Sequence, residues 1–188
     1  MKELPKHLGG HQNKTHLDVG TLEFFKSTFN IKSMLDIGCG PGGMVNLAQE
    51  MDLYAIGVDG DFTINRSPAE SFILHDFTSG PAPINEEFDL AWSCEFVEHV
   101  HEEYVPMYMP AFQQAKYVTM TYSQDPNGYH HVNLKPAEYW IKTFSDYGLE
   151  FNSDLTAQVK QATTMNLKKK KKAWVLNSGL CFVNTKYI

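Results

Sequence analysis

At 188 residues, with 43% hydrophobic and 13% aromatic content, the chain can bury one substantial core, which excludes a disordered polymer. Its formal net charge is −6, Arg66 is the only arginine, and five basic residues are gathered in the run Lys168 to Lys172; a broad nucleic-acid surface is disfavoured, although one lysine-rich strip remains. No window approaches the roughly 18 apolar residues of a membrane helix, and Met1 to His7 lacks a signal peptide's apolar core, so a soluble cytoplasmic protein with no membrane partner is expected.

Residues 7 to 20 are polar, irregular and glycine-containing. Gly9 to His16 reads either as a lid, hinged by its glycines, or as a frayed terminus. A helix with Leu22, Phe25 and Phe29 on one face follows. Met34, Leu35 and Ile37 then form a short buried strand, Gly38, Gly40, Gly42 and Gly43 crowd a loop, and Met44, Val45, Leu47, Ala48 and Met51 fit a helix face. Strand, glycine turn and helix make the unit that lets a backbone approach a nucleotide-like ligand. The glycines alone satisfy two patterns, Gly38-Gly40-Gly43 and Gly38-Gly40-Gly42. Asp36, two residues before the first glycine, separates them. A carboxylate there repels a pyrophosphate, as in NAD, and attracts a cationic amine, as in S-adenosylmethionine.

The second strand is Tyr54 to Val58, ending at Asp59, about twenty residues past Gly38. Asp59 either accepts from ribose hydroxyls or caps the turn at Gly60-Asp61. A third strand over Ser71 to Leu74 leads to Asp76 and Phe77, which either hold and stack an adenine or begin a polar loop. Phe88 to Ser93 is the fourth strand and Tyr117 to Tyr122 the fifth. Pro136 starts a helix carrying Tyr139, Trp140, Ile141 and Phe144, stopped by Gly148. Leu149 to Val159 and Ala173 to Val183 read as a closing strand pair, with Lys168 to Lys172 as a solvated tip or helix end. Strands alternating with helices predict a mostly parallel sheet covered on both faces. Cys39, Cys94 and Cys181, without Cys-x-x-Cys spacing, suit reduced thiols rather than structural zinc.

Directly after the fourth strand, Glu95, Glu98 and His99 would share one face of a helix at the active edge of the sheet. Carboxylates suit Mg²⁺ or Ca²⁺, and imidazole tilts the site toward Mn²⁺ or Zn²⁺. Without a metal, His99, His130 or His131 is the candidate general base, although for any lone histidine a satisfied structural role is the safer reading. Tyr104, Tyr108, Phe112, Tyr122, Tyr129 and Trp140 are aromatic candidates for an acceptor pocket, or for core.

From about Ser33 to Asn184 the chain resembles the class I S-adenosylmethionine-dependent methyltransferases. The likeness rests on Leu35-Asp36-Ile37-Gly38-Cys39-Gly40-Pro41-Gly42-Gly43, on Gly57-Val58-Asp59, and on Phe88-Asp89-Leu90 leading into Glu95-Phe96-Val97-Glu98-His99-Val100. It implies an α/β fold: a Rossmann-like, doubly wound, seven-stranded sheet, mostly parallel with an antiparallel last strand. It also implies that Asp36, Gly38, Gly40 and Gly42 hold the donor's methionine part, Asp59 with Gly60 its ribose, and Asp76 with Phe77 its adenine, with Cys94 bordering the site. One domain, 1–188, is expected: lid and helix over 1–32, a cofactor-binding half over 33–122, and an acceptor-side half over 123–188. The Glu-x-x-Glu-His segment resembles two metal-using branches, the ubiquinone-type O-methyltransferases and the small-RNA 3′-end 2′-O-methyltransferases. The second implies His131 as a further ligand, since His131, Glu138 and Trp140 match its offsets. The resulting expectation is a methyltransferase acting on a small molecule at oxygen, with a divalent cation, Mg or Mn, held by Glu95, Glu98, His99 and His131. The alternatives are transfer to the ribose of an RNA end, and a cofactor-binding module without transferase activity. Oligomeric state is left open.

Overall fold

A computed structural model describes residues 3–168 and 170–187, without the Lys170 side chain. Met1, Lys2 and Lys169, which belong to the sequence readings of the amino terminus and the lysine run, lie outside the described residues. Seven strands, β1 (Ser33–Ile37), β2 (Tyr54–Asp59), β3 (Phe72–Leu74), β4 (Phe88–Ser93), β5 (Ala115–Met120), β6 (Leu149–Phe151) and β7 (Leu180–Asn184), form one sheet in the order β3-β2-β1-β4-β5-β7-β6. Pairing is parallel from β3 through β5, and β7 runs antiparallel to both β5 and β6. This is the expected seven-stranded, Rossmann-like sheet. From β1 the chain goes first to β2 on one side and later to β4 on the other. That reversal opens a crevice at the carboxyl ends of β1 and β4, where such sheets bind ligands.

Strand alternation divides the core in two. Leu35, Ile37, Ile56, Val58 and Ala91 face one layer, where they pack with Tyr108, Met109 and Phe112 of α3 (Val105–Phe112) and Trp140 and Phe144 of α4 (Ala137–Asp146). Met34, Ala55, Leu90 and Trp92 face the other. They meet Leu22 and Phe25 of α1 (Val19–Phe29), Met44, Val45 and Ala48 of α2 (Gly43–Glu50), and Leu155 and Val159 of α5 (Ser153–Ala162). Asp18 caps α1 by accepting from the Thr21 amide at 3.1 Å, and its carboxylate also takes the Thr164 amide at 2.8 Å, tying the amino-terminal helix to the end of α5.

Two readings are corrected. The fifth strand begins at Ala115 and ends at Met120, two residues earlier than expected at each end. The closing strand pair exists only as β6 and β7; Asn152 accepts the Leu155 amide at 2.9 Å and starts α5, and α6 (Trp174–Ser178) precedes β7. A capping Asn followed by apolar residues four apart, Leu155 and Val159, sets a helix where a strand was expected. Helix α3 was not read from the sequence because it contains Pro106 and Pro110; Pro106 sits in the first turn, where its missing amide costs little. Among the described residues no helix is long and apolar enough to cross a membrane.

Candidate active site

The crevice deepens into a cavity of about 1110 Å³ whose wall includes Asp36, Gly38, Gly40, Asp59, Gly60, Asp76, Phe77, Cys94, Glu95, His99, His130 and His131. All eight histidines of the chain line it. Twelve of the fourteen residues singled out for the site from the sequence therefore meet in one place. Gly42 does not line it. Its φ of 86° starts α2, and a Cβ there would lie 2.4 Å from the Phe72 ring, so its glycine is required by packing and backbone conformation. Glu98 lies behind the wall rather than in it.

Asp36 ends up at the cavity because β1 places it at its carboxyl end, beneath the glycine turn. It is 3% exposed. Among the described residues no donor hydrogen-bonds its carboxylate. Burial, and next the charge of Asp59, push its pKa well above the ordinary carboxylate range. Asp59, at the end of β2, is already engaged. Its Oδ1 accepts the Asp61 amide at 2.8 Å and Arg66 Nη2 at 2.9 Å, and its Oδ2 accepts the Gly40 amide at 2.9 Å. One acceptor direction on Oδ2 remains for a ligand hydroxyl. Arg66 also donates to the Gly40 carbonyl at 2.6 Å and the Asp61 carbonyl at 2.9 Å, so one guanidinium ties the glycine turn to the β2 end. The sequence reading gave Arg66 no part in the site; its separation from the motifs offered no signal except that it is the sole arginine.

Asp76, after β3, accepts the Thr78 amide and hydroxyl on Oδ1 and pairs through Oδ2 with His7 Nε2 at 2.8 Å. Burial works to raise its pKa, but the bonds from His7 and Thr78 prevail and hold it low. His7 belongs to the amino-terminal stretch, a strap whose residues line the cavity. His11 Nε2 lies 3.1 Å from Asp61 Oδ2, the Thr15 hydroxyl accepts the Gly43 amide at 3.1 Å, and the His16 ring meets Trp174 edge-on at 4.3 Å. The strap runs close to the glycine turn: a Cβ on Gly40 would sit 3.1 Å from His11.

On the other side of the turn, Glu95, Glu98 and His99 do not share a helix face. Glu95 takes φ 55° in the turn after β4, and only Val97–His99 winds into a 3₁₀ turn. Spacing cannot reveal such a break, which the Thr121 hydroxyl supports by accepting the Glu95 amide at 2.8 Å. The Glu98 carbonyl accepts the amides of Val132 and Asn133, and this brings the 130–133 loop, with His131, against the turn. One ligand atom from each of Glu98, His99 and His131 lies within 4.8 Å of the others. Glu95 stands outside this triad and faces Glu98 instead; burial raises the Glu95 pKa to about 7. Glu98 is fully buried, with the Glu95 carboxyl as its hydrogen-bonding neighbour. Burial and the neighbouring Glu95 charge raise its pKa strongly. His99 is pushed down to about 4 by burial and by His131, so it is a neutral imidazole with an unpartnered Nδ1. His130 Nε2 is likewise buried without a described partner; its ring stands 5.6 Å from His101 and 6.5 Å from His7.

Of the aromatic candidates, Tyr104, Tyr122 and Tyr129 line the cavity, whereas Tyr108, Phe112 and Trp140 are fully buried in the core. Cys94 borders the cavity as a half-buried thiol whose pKa is raised by burial and by Glu95.

No protein-family model matches the chain, and no curated protein matches it in sequence. Solved structures do. A TehB-like SAM-dependent methyltransferase from Corynebacterium glutamicum matches with a TM-score of 0.61 at 14% identity, over 88% of this chain and 87% of that one. The methyltransferase domain of bacterial CtHen1-C matches with a TM-score of 0.59 at 17% identity, over 87% and 94%. Magnesium protoporphyrin IX methyltransferase (ChlM) from Synechocystis PCC 6803, with bound SAM, matches with a TM-score of 0.51 at 15% identity, over 88% and 80%. The fold is that of the SAM-dependent methyltransferases.

Proposed function

We propose that this chain, built on the methyltransferase fold, transfers a methyl group from S-adenosylmethionine to a small-molecule acceptor at oxygen. The observation that carries the reading is Asp36: a buried carboxylate without a hydrogen-bond donor, aimed into the cavity beside a glycine turn. Such a group is costly unless an opposite charge joins it. The donor's α-ammonium supplies that charge, while Gly38 and Gly40 hold positive φ and let the turn lie against Phe96 and His11 at the cavity wall. The free acceptor direction on Asp59 suits a ribose hydroxyl, and Asp76 with Phe77 suits an adenine edge and face.

When bound, the donor supplies a sulfonium methyl group open to in-line displacement. The protein's part is to orient the acceptor opposite that methyl and to exclude water. The strap, held by His7, His11 and Thr15, covers the crevice for this purpose. An oxygen acceptor must also lose a proton. His130, with an unpartnered Nε2, and His131 stand on the acceptor side to receive it.

A second reading, metal-dependent 2′-O-methyl transfer to an RNA end, is favoured by the Glu98, His99 and His131 triad. The residues suit a small divalent cation, Mg²⁺ or Mn²⁺: His99 is neutral as a ligand must be, its Nδ1 has no described partner, and binding would release the proton that burial and Glu95 keep on Glu98. A cation held there would lower the pKa of a bound acceptor hydroxyl. Manganese calorimetry tests it; one-site uptake lost in His131→Ala supports the triad as ligands, and heats equal in both proteins dismiss it.

The transferase reading is tested by incubation with methyl-labelled donor and a cell extract. Label should move to an extractable small product. Binding of the donor with no transfer to any extract component would leave only a cofactor-binding module.

A further inference from the structure

We infer that the acceptor carries a phosphate group, bound at the cavity mouth by Lys171 and Lys172. The inference rests on the methyltransferase reading and deepens it. Charge in the cavity is segregated. Asp36, Asp59 and Asp76 lie along the carboxyl edge of β1, β2 and β3, where a cationic donor fits. Across the mouth, the 3₁₀ turn Lys170–Lys172 carries the exposed Lys171 and Lys172, and both line the cavity together with Trp174 and Ser178. Lysines scattered on a surface would carry no such meaning, but this segment is tied in place. Asn166 Nδ2 donates to the Lys172 carbonyl at 3.0 Å and meets His16 Nδ1 at 3.0 Å, and the His16 ring packs on Trp174. The lysines are thereby joined to the strap over the cavity. In a chain of net charge −6, two adjacent ammonium groups at the entrance to an acid-floored cavity select an anion and keep cations from competing for the mouth. Two neighbouring point charges suit a multiply charged phosphate better than a single carboxylate. Asp125, within electrostatic reach of Lys171, lines the same cavity, so Lys172 is the less compensated of the two charges.

The test is calorimetry with inorganic pyrophosphate on protein saturated with S-adenosylhomocysteine, in wild type and in Lys171→Gln/Lys172→Gln. Both side chains are exposed, so the variant should fold, and its melting curve checks this. Expected is pyrophosphate binding that weakens at least about tenfold in the variant and falls with added salt, while S-adenosylhomocysteine affinity is unchanged. Uptake of S-adenosylhomocysteine without uptake of pyrophosphate, or equal pyrophosphate affinity in both proteins, overturns the phosphate inference alone. Failure of S-adenosylhomocysteine to bind wild type overturns the methyltransferase reading beneath it. A pentaribonucleotide titrated in parallel identifies the source: affinity well above that of pyrophosphate, lost in the same variant, assigns the phosphate to an RNA backbone, and affinity equal to it assigns a small phosphorylated molecule.

Discussion

Asp36 is costly to the protein alone and useful to it only with a ligand. Desolvation raises its pKa, so the folded state holds a proton that the unfolded chain releases near the ordinary carboxylate value. The linkage sign follows: this group's contribution is fully present below the unfolded pKa and is lost as pH rises through the raised folded value. Asp36→Asn removes that dependence. The difference in unfolding free energy between wild type and Asp36→Asn should shift in favour of the variant as pH increases from about 4 upward. Chemical denaturation across pH measures it, and a flat difference would refute the claim that the carboxylate is buried without a partner. Arg66 acts through Asp59 and the Gly40 carbonyl rather than on a reacting atom. Hydrogen bonds to charged groups contribute about 1.5–3 kcal/mol, so Arg66→Gln should weaken donor binding by roughly tenfold or more. Arg66→Lys should not rescue it, because three bonds in different directions need the planar fork. Equal affinity in wild type and Arg66→Lys would show that only the charge matters.

The strap and the segment from β6 to β7 show how far pattern carries. β1, the glycine turn and α2 were legible because alternation, glycine and helical period change within a few residues. The same logic misread 152–159: Leu155 and Val159 are four apart, but they sit beside a three-residue strand, and the cap Asn152 decides between the two periods. Asn152→Ala should cost about 1 kcal/mol and lower the melting temperature by about 2–4 °C. A larger loss would mean that Asn152 does more than cap α5. The strap was legible only as a choice between lid and frayed end, because its anchors, Asp61, Asp76 and Trp174, are contributed by segments distant in sequence. Deleting residues 1–16 removes His7, His11 and His16 but keeps the Asp18 cap of α1. The truncated protein should keep its circular dichroism and lose methyl transfer; undiminished turnover would show the strap to be dispensable. The triad is a different case: Glu98 and His99 are adjacent in sequence, the family offsets pointed to His131, and the backbone bonds to the Glu98 carbonyl that bring it there follow no local pattern.

Taken together, the sheet gathers acid along one edge and histidine and lysine over it. The fold was legible nearly complete, since alternating strands and helices with one glycine turn leave few topologies open. The acceptor was not, because the rest of the cavity is built from the loop at 122–131 and from short turns and a five-residue helix over 170–178, too brief to show a period. The proposed function hangs on one requirement, that a cationic amino-acid tail neutralise Asp36. Calorimetric titration of S-adenosylhomocysteine into wild type and Asp36→Asn tests this directly. The account predicts one-to-one binding to wild type, weakened in the variant by about 2 kcal/mol or more, roughly thirtyfold. No heat with wild type, or equal affinity in the variant, would contradict it.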